Sequence, residues 1–207
     1  MTNRIAINKH GPIAHVRLNR LDKLNGLDLP MFDALVETGR RVAEDRSLRA
    51  VVLSGNGRGF CAGLDFMSFM AASEGPKRSL FERSAESPAN LAQRAAFIWA
   101  EVPIPVIAAV HGVAFGGGIQ IALAADIRIV APDARLSVME IKWGLIPDMS
   151  GTQTLRRLVP LDVAKELTFT GRIVSGTEAV ELGLATRVSE KPYEDAMSLA
   201  REIAGKS

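Results

Sequence analysis

The sequence predicts an α/β fold, and two observations carry that prediction. Short β-branched runs alternate with segments of helical periodicity. The runs are apolar along nearly their whole length, as in strands covered on both faces of a sheet. They are Ile13–Leu18, Ala50–Leu53, Val106–Val110 and Ile127–Val130, each bounded by Gly, Asn, Asp or Pro.

The helices follow from spacing. Pro30–Glu44 carries Met31, Leu35, Val36 and Val42 on one face, and Ala89–Ala100 carries Leu91, Ala95, Ile98 and Trp99. Ile119–Ala125 is compact and apolar and follows three glycines. After Gly151 the pattern is helical in Thr152–Leu158, Val163–Thr170, Thr177–Leu182 and Tyr193–Ala204. Phe66–Pro88 is polar and mixed in charge, and reads either as an exposed connection or as a flap over a ligand pocket. The chain ends on REIAGKS at what reads as a helix-to-helix junction, so the C-terminal helical region is expected to be incomplete.

Composition narrows the function. The chain has 207 residues, enough for one sizeable core, and 47% are hydrophobic. A net charge of +2 gives no reason to expect nucleic acid or an anionic membrane as partner. The single cysteine, Cys61, permits no disulfide within the chain, and no His/Asp/Glu cluster has metal-ligand spacing. No signal peptide and no membrane-length apolar run is apparent. The expectation is a soluble, cytoplasmic protein.

Two glycine-marked turns follow strands: GNGRGFCAGLDF from Gly55 and HGVAFGGGIQIALAADIRI from His111. In the second, Gly116, Gly117 and Gly118 open a helix. A helix start presents unpaired N–H groups, and glycine lets a ligand atom approach them. The turn therefore suits an anion or a carbonyl oxygen that becomes negative. Close helix–sheet packing that only glycine permits is the plainer reading. Neither G-x-x-x-x-G-K-[ST] nor G-x-G-x-x-G is present.

Two acids, Glu140 and Asp148, flank Ile141, Trp143, Leu145, Ile146 and Pro147. An apolar wall raises carboxyl pKa values, and repulsion discourages double ionisation. The stretch is thus expected to keep one proton on the pair and to keep water out. Plainer readings are a turn in which Asp148 caps the helix near Ser150, and a surface ion pair for Glu140.

FCAGLDF, the glycine turn and MEIKWGLIPDMSGTQTLRRLVP together resemble the crotonase superfamily, the enoyl-CoA hydratase/isomerase family. VRLNRLDKLNGLDLPMFDAL and FTGRIVSGTEAVELGLATRVS resemble its opening and its later segments. The resemblance implies a spiral of ββα turns in two near-perpendicular sheets, with residues 1–190 the acyl-CoA-binding core and 191–207 the start of a C-terminal helical, oligomer-forming region. It implies a homotrimer or a dimer of trimers.

It also implies that the backbone N–H groups of Leu64 and Gly117 form an oxyanion hole for an acyl-CoA thioester. Coenzyme A, part of the substrate rather than a cofactor, would lie near Lys23, Leu24, Ala62 and Leu64. Hydratases of the family hold a water between two glutamates; here one of those positions is Gln120 and the other is Glu140. The E-x-x-x-G-L-x-x-D context resembles the dienoyl-CoA isomerases, with Asp148 the base at C2 and Glu140 the acid toward C6. The rivals are a hydratase in which Gln120 orients the water, and a non-catalytic acyl-CoA-binding or assembly protein.

Overall fold

The computed structural model describes residues 4–71, 80–81, 83 and 87–206. In chain order the elements are β1 (Ile5–His10), β2 (Ile13–Leu18), α1 (Leu29–Glu44), β3 (Ala50–Gly55), α2 (Phe66–Ala71), α3 (Leu91–Glu101), β4 (Val106–Val110), β5 (Val113–Phe115), α4 (Gly117–Leu123), β6 (Ile127–Val130) and β7 (Arg135–Ser137). A 3₁₀ turn over Glu140–Trp143 leads to α5 (Gly151–Leu158), α6 (Leu161–Thr170), β8 (Val174–Ser175), α7 (Gly176–Glu181), β9 (Arg187–Val188) and α8 (Pro192–Ala204).

The strands form a six-stranded sheet in the order β1-β2-β3-β4-β6-β9 and a three-stranded sheet in the order β5-β7-β8. In the larger sheet only the β1–β2 hairpin pairs antiparallel; every other pairing is parallel. Parallel strands need crossovers, and helices supply them. The four strands expected from the β-branched runs are all present. The additional strands are short or carry exposed residues: β1 reads as buried only at Ile5, and β8 and β9 have two residues each.

Alternation along the central strands divides the core in two. Ala14, Val16, Leu18, Val51 and Leu53 face a large cluster shared with α1 and α3. Ile13, Ala50, Val52, Ile107, Ala109 and Ile129 face a second cluster completed by Ala196, Met197 and Ala200 of α8. α8 (Pro192–Ala204), within the stretch expected to start a C-terminal region, covers this sheet's second face. Much of the Phe66–Pro88 segment lies outside the described residues; what is described begins with α2.

Local chemistry sets the ends of the helices around the site. Asp28 caps α1, accepting from Met31 N at 3.0 Å, with Pro30 in the first turn. Asn90 and Gln93 form a reciprocal capping box at α3. At the α1–α3 crossing, Gly39 lies against Ile98, where a Cβ would come within 2.4 Å of Cγ1.

Candidate active site

The two glycine turns lie side by side. Cys61 pairs with β5: its N–H donates to Val113 O and its carbonyl accepts from Phe115 N. Beyond it, Leu27 N–H donates to Gly63 O and Leu27 O accepts from Asp65 N–H, both at 2.9 Å or less. Leu64 stands between those two bonded residues, so strand alternation turns its own N–H away from Leu27. Gly63 (φ 85) makes the approach: a Cβ there would lie 2.6 Å from Phe115 O and 3.5 Å from Gly117 N. No bulkier residue fits that backbone or that space.

Gly117 is the first residue of α4, which begins two residues earlier than periodicity predicts. Its N–H therefore has no carbonyl a turn behind it. Gly116 before it has φ 51 and donates to Ser137 O, and Gly116 O accepts from Gln120 N–H. Among the described residues neither Leu64 N–H nor Gly117 N–H meets an acceptor. Gly118 serves packing, since a Cβ there would meet Cys61 O at 2.3 Å.

Glu140 lies next to this turn: a Cβ at Gly116 would be 3.4 Å from Glu140 Oε1. Glu140 is 8% exposed. Its Oε1 accepts from Gln120 Nε2 at 2.5 Å, while its Oε2 is buried with no partner among the described residues. Burial pushes its pKa above the ordinary value, and the Asp148 charge adds to the push, against hydrogen bonds from its own backbone and from Gln120. Asp148 is half-buried, and burial raises its pKa too. An unpartnered oxygen on a carboxyl whose proton affinity is raised by burial is a group prepared to exchange a proton with something placed beside it.

The turn from Pro147 to Gly151 closes over the same place. Met149 lies against Gly117, and Gly151 N–H donates to Gln120 Oε1 at 2.8 Å. Gln120 is 1% exposed, with its amide joining Glu140 to the start of α5. Expected among the substrate-binding residues, it stands behind Glu140 and holds the carboxyl in place. Asp148 does not cap α5. The N-cap is Ser150, in the left-handed region (φ 66), and no side chain caps that helix.

The apolar stretch between the acids behaves differently from the expectation. Ile141, Trp143, Leu145 and Ile146 are exposed, Trp143 by 60%, with its ring on Phe66 at 4.5 Å. The 3₁₀ turn and the left-handed Gly144 reverse the chain and turn these side chains outward. Among the described residues they do not seal the acid pair. Burial of Glu140 comes from its neighbours Gln120 and the Gly116 turn.

Lys23 and Leu24 lie in a tight loop held by residues that the sequence reading passed over. Leu24 (φ 47) and Asn25 (φ 58) are both left-handed, and Ala62 N–H donates to Leu24 O, which brings the expected coenzyme-binding residues together. Asn25 is fully buried and donates to the carbonyls of Asn56 and Gly59. Arg20, 8% exposed, donates to Gly26 O and pairs with Asp65 at 2.8 Å and Asp28 at 3.5 Å. Their signal in the sequence is LNRLDKLNG itself, a run in which polar residues interrupt an otherwise strand-to-helix connection.

The remaining polar residues have structural partners. Cys61 is buried, its thiol pushed up to about 12 by burial, and it donates to Asn25 O. Asp65 is held near 2 by Ser68, with Arg20 adding to it. Asp126 accepts from Val106 N–H, and His111 Nε2 lies 2.9 Å from Gly57 O. Among the described residues no group of three His, Cys, Asp or Glu could hold a metal, and no helix is long and apolar enough to cross a membrane.

Known proteins share both sequence and fold. Residues 8–207 match the profile of the family described as enoyl-CoA hydratase/isomerase. The short-chain-enoyl-CoA hydratase of Clostridium acetobutylicum is 35% identical over 99% of this chain and 75% of its own length. The human mitochondrial Delta(3,5)-Delta(2,4)-dienoyl-CoA isomerase is 35% identical over 94% of this chain and 62% of its own length. The crystal structure of enoyl-CoA hydratase from Bacillus anthracis superposes with a TM-score of 0.87 at 32% identity, covering 99% of this chain and 78% of that one. This chain thus spans between 62% and 75% of these two curated relatives. With residues 8–207 matching the family profile and 35% identity to a curated member over 99% of this sequence, the chain belongs to the enoyl-CoA hydratase/isomerase family of enzymes.

Proposed function

We propose that the protein acts on an acyl-CoA thioester and shifts its double bonds as a dienoyl-CoA isomerase does. The observation that carries this reading is the unpartnered, buried Oε2 of Glu140 beside Asp148 and next to the two glycine turns. Leu64 and Gly117 N–H hold the thioester oxygen, so that charge developing on it is met by donors already in place. Lys23, Leu24 and Ala62 hold the coenzyme. Coenzyme A arrives as part of the substrate and no resident cofactor is required.

The two acids divide the work by their surroundings. Asp148 is the less buried and ionises first. Glu140 then feels that charge in addition to its burial and keeps its proton longer. Ionised Asp148 takes a proton from C2 of a 3,5-dienoyl-CoA, giving an enolate on the thioester oxygen. The electrons move along the tail, C6 takes the proton from Glu140, and the 2,4-diene is released. Atoms and charge balance: Asp148 ends protonated and Glu140 ionised, and exchange with solvent resets the pair.

Hydration is the second reading, favoured by the likeness to the Clostridium hydratase. It requires a water between Glu140 and residue 120. Gln120 has both ends of its amide engaged with protein, which argues against it as a water ligand. Purified protein offered a 3,5-dienoyl-CoA and, separately, a 2-enoyl-CoA distinguishes the two. The conjugated 2,4-diene absorbance is expected to appear. Loss of the enoyl band without any diene signal establishes the hydratase instead, and tight binding of both without turnover establishes the binding protein.

Ile146, Leu161 and Phe169 line one surface depression, and Trp143 and Leu145, near Ile146 in the chain, are exposed as well. We assign this surface to self-association, as a trimer or a dimer of trimers.

A further inference from the structure

A cavity of about 460 Å³ opens on the other side of the larger sheet; it touches the glycine turns only at their first residues, Gly55, Asn56 and His111, and includes none of Lys23, Leu24, Ala62, Leu64, Gly117, Glu140 or Asp148. Along β2 the residues facing α8 run Ile13, His15, Arg17. The first packs under α8 and the other two line the cavity. Tyr193, in the first turn of α8, stacks on His15 at 4.5 Å and marks where apolar contact ends. Ser54, on β3 opposite Arg17, lies 2.8 Å from His15 Nε2. His10 and His111 complete a wall that gathers all three histidines of the chain.

The charge of this cavity is one-sided. No Asp or Glu lines it. Arg17 makes one side-chain hydrogen bond, to Asn8 Oδ1, its Nε is buried without a partner, and among the described residues no carboxylate pairs with it. Arg17 and His10 both act electrostatically on His15, which burial holds near 4, so His15 is neutral and able to hydrogen-bond at pH 7. A guanidinium lacking a counter-ion, ringed by hydroxyl, imidazole and amide groups, is the arrangement that takes an oxyanion.

We propose that this cavity binds a small phosphate-class anion, with Arg17 as its charged anchor and Ser54, His10 and His111 as hydrogen-bonding partners. The site is separate from the acyl-CoA site and does not depend on which reaction the acids catalyse.

The test uses the whole chain and inorganic phosphate at constant ionic strength, following the histidine ring signals by NMR. Saturable shifts at His10, His15 and His111 are expected. Arg17→Gln is expected to weaken them at least about tenfold, and Arg17→Lys to retain most of the affinity. Asn8→Asp, an exposed change that gives Arg17 an internal counter-ion, is expected to weaken binding as Arg17→Gln does. The histidine signals of each variant report its folding directly. Equal shifts from chloride, or undiminished binding in both Arg17→Gln and Asn8→Asp, would overturn the proposal. So would displacement of phosphate by free coenzyme A, since the anion would then belong to the acyl-CoA site.

Discussion

Glu140 and Asp148 differ in what surrounds them, and the difference is measurable. Glu140→Gln keeps an acceptor for Gln120 but removes the proton. Turnover is expected to fall by about 10²–10⁴ in kcat while acyl-CoA affinity is retained, checked by steady-state kinetics beside a binding titration. Asp148→Asn should abolish the diene shift and leave stability within about 0.5 kcal/mol, because Asp148 caps no helix. A loss near the ~1 kcal/mol of a helix cap would contradict that placement. The rate against pH should be bell-shaped, with both limbs above the usual carboxylate range, since burial raises both acids. Stability carries the same signature. A carboxyl whose folded pKa is raised binds its proton more tightly when folded, so its contribution is intact at low pH and declines as pH rises through the folded value. Melting temperatures of Glu140→Gln and of the parent should therefore diverge in the variant's favour from about pH 4.5, the ordinary value for glutamate, upward.

Turns decide the site at the scale of elements. The Leu64 and Gly117 N–H groups are available because one stands between two residues that bond Leu27 and the other begins a helix. Gly63→Ala puts a Cβ 2.6 Å from Phe115 O at a backbone with φ 85. The expected result is a loss of about 1–3 kcal/mol in urea unfolding, together with a drop in kcat from the displaced donor. The Lys23–Leu24 loop depends on Arg20, which meets Asp65, Asp28 and Gly26 O while nearly buried. Arg20→Ala leaves two carboxylates without that partner and should cost about 3–5 kcal/mol, read by thermal or denaturant unfolding.

For the whole molecule, α8 and the exposed apolar band act on opposite problems. The helix buries the second face of the parallel sheet, which is why apolar strands of both parities are stable. Trp143, Leu145, Ile146, Leu161 and Phe169 are exposed among the described residues. Sedimentation of the parent protein is expected to show an oligomer, and Ile146→Asp to shift it toward the monomer with unchanged secondary structure. A parent that sediments as a monomer at every concentration would remove the proposed role of this surface.

Much of the fold was legible because its signals are local. The β-branched runs at residues 13–18, 50–53, 106–110 and 127–130 report strands through burial on both faces, and apolar spacing reports the helices over 30–44 and 89–100 to within two residues at each end. The glycine turns and the acid pair stood out in the sequence as candidates, while the roles expected of Leu64, Gly117, Glu140 and Asp148 came from the family resemblance. Distances across the chain were not legible. Only the folded structure joins Gln120 to both Glu140 and Gly151, turns Trp143 and Ile146 outward and leaves Arg17 without a carboxylate partner among the described residues, because each depends on residues far apart in sequence meeting or failing to meet. Sequence determined which groups the chain carries and the periods that fold them. Tertiary packing decided which of those groups are desolvated, and desolvation sets their proton affinity and their reach.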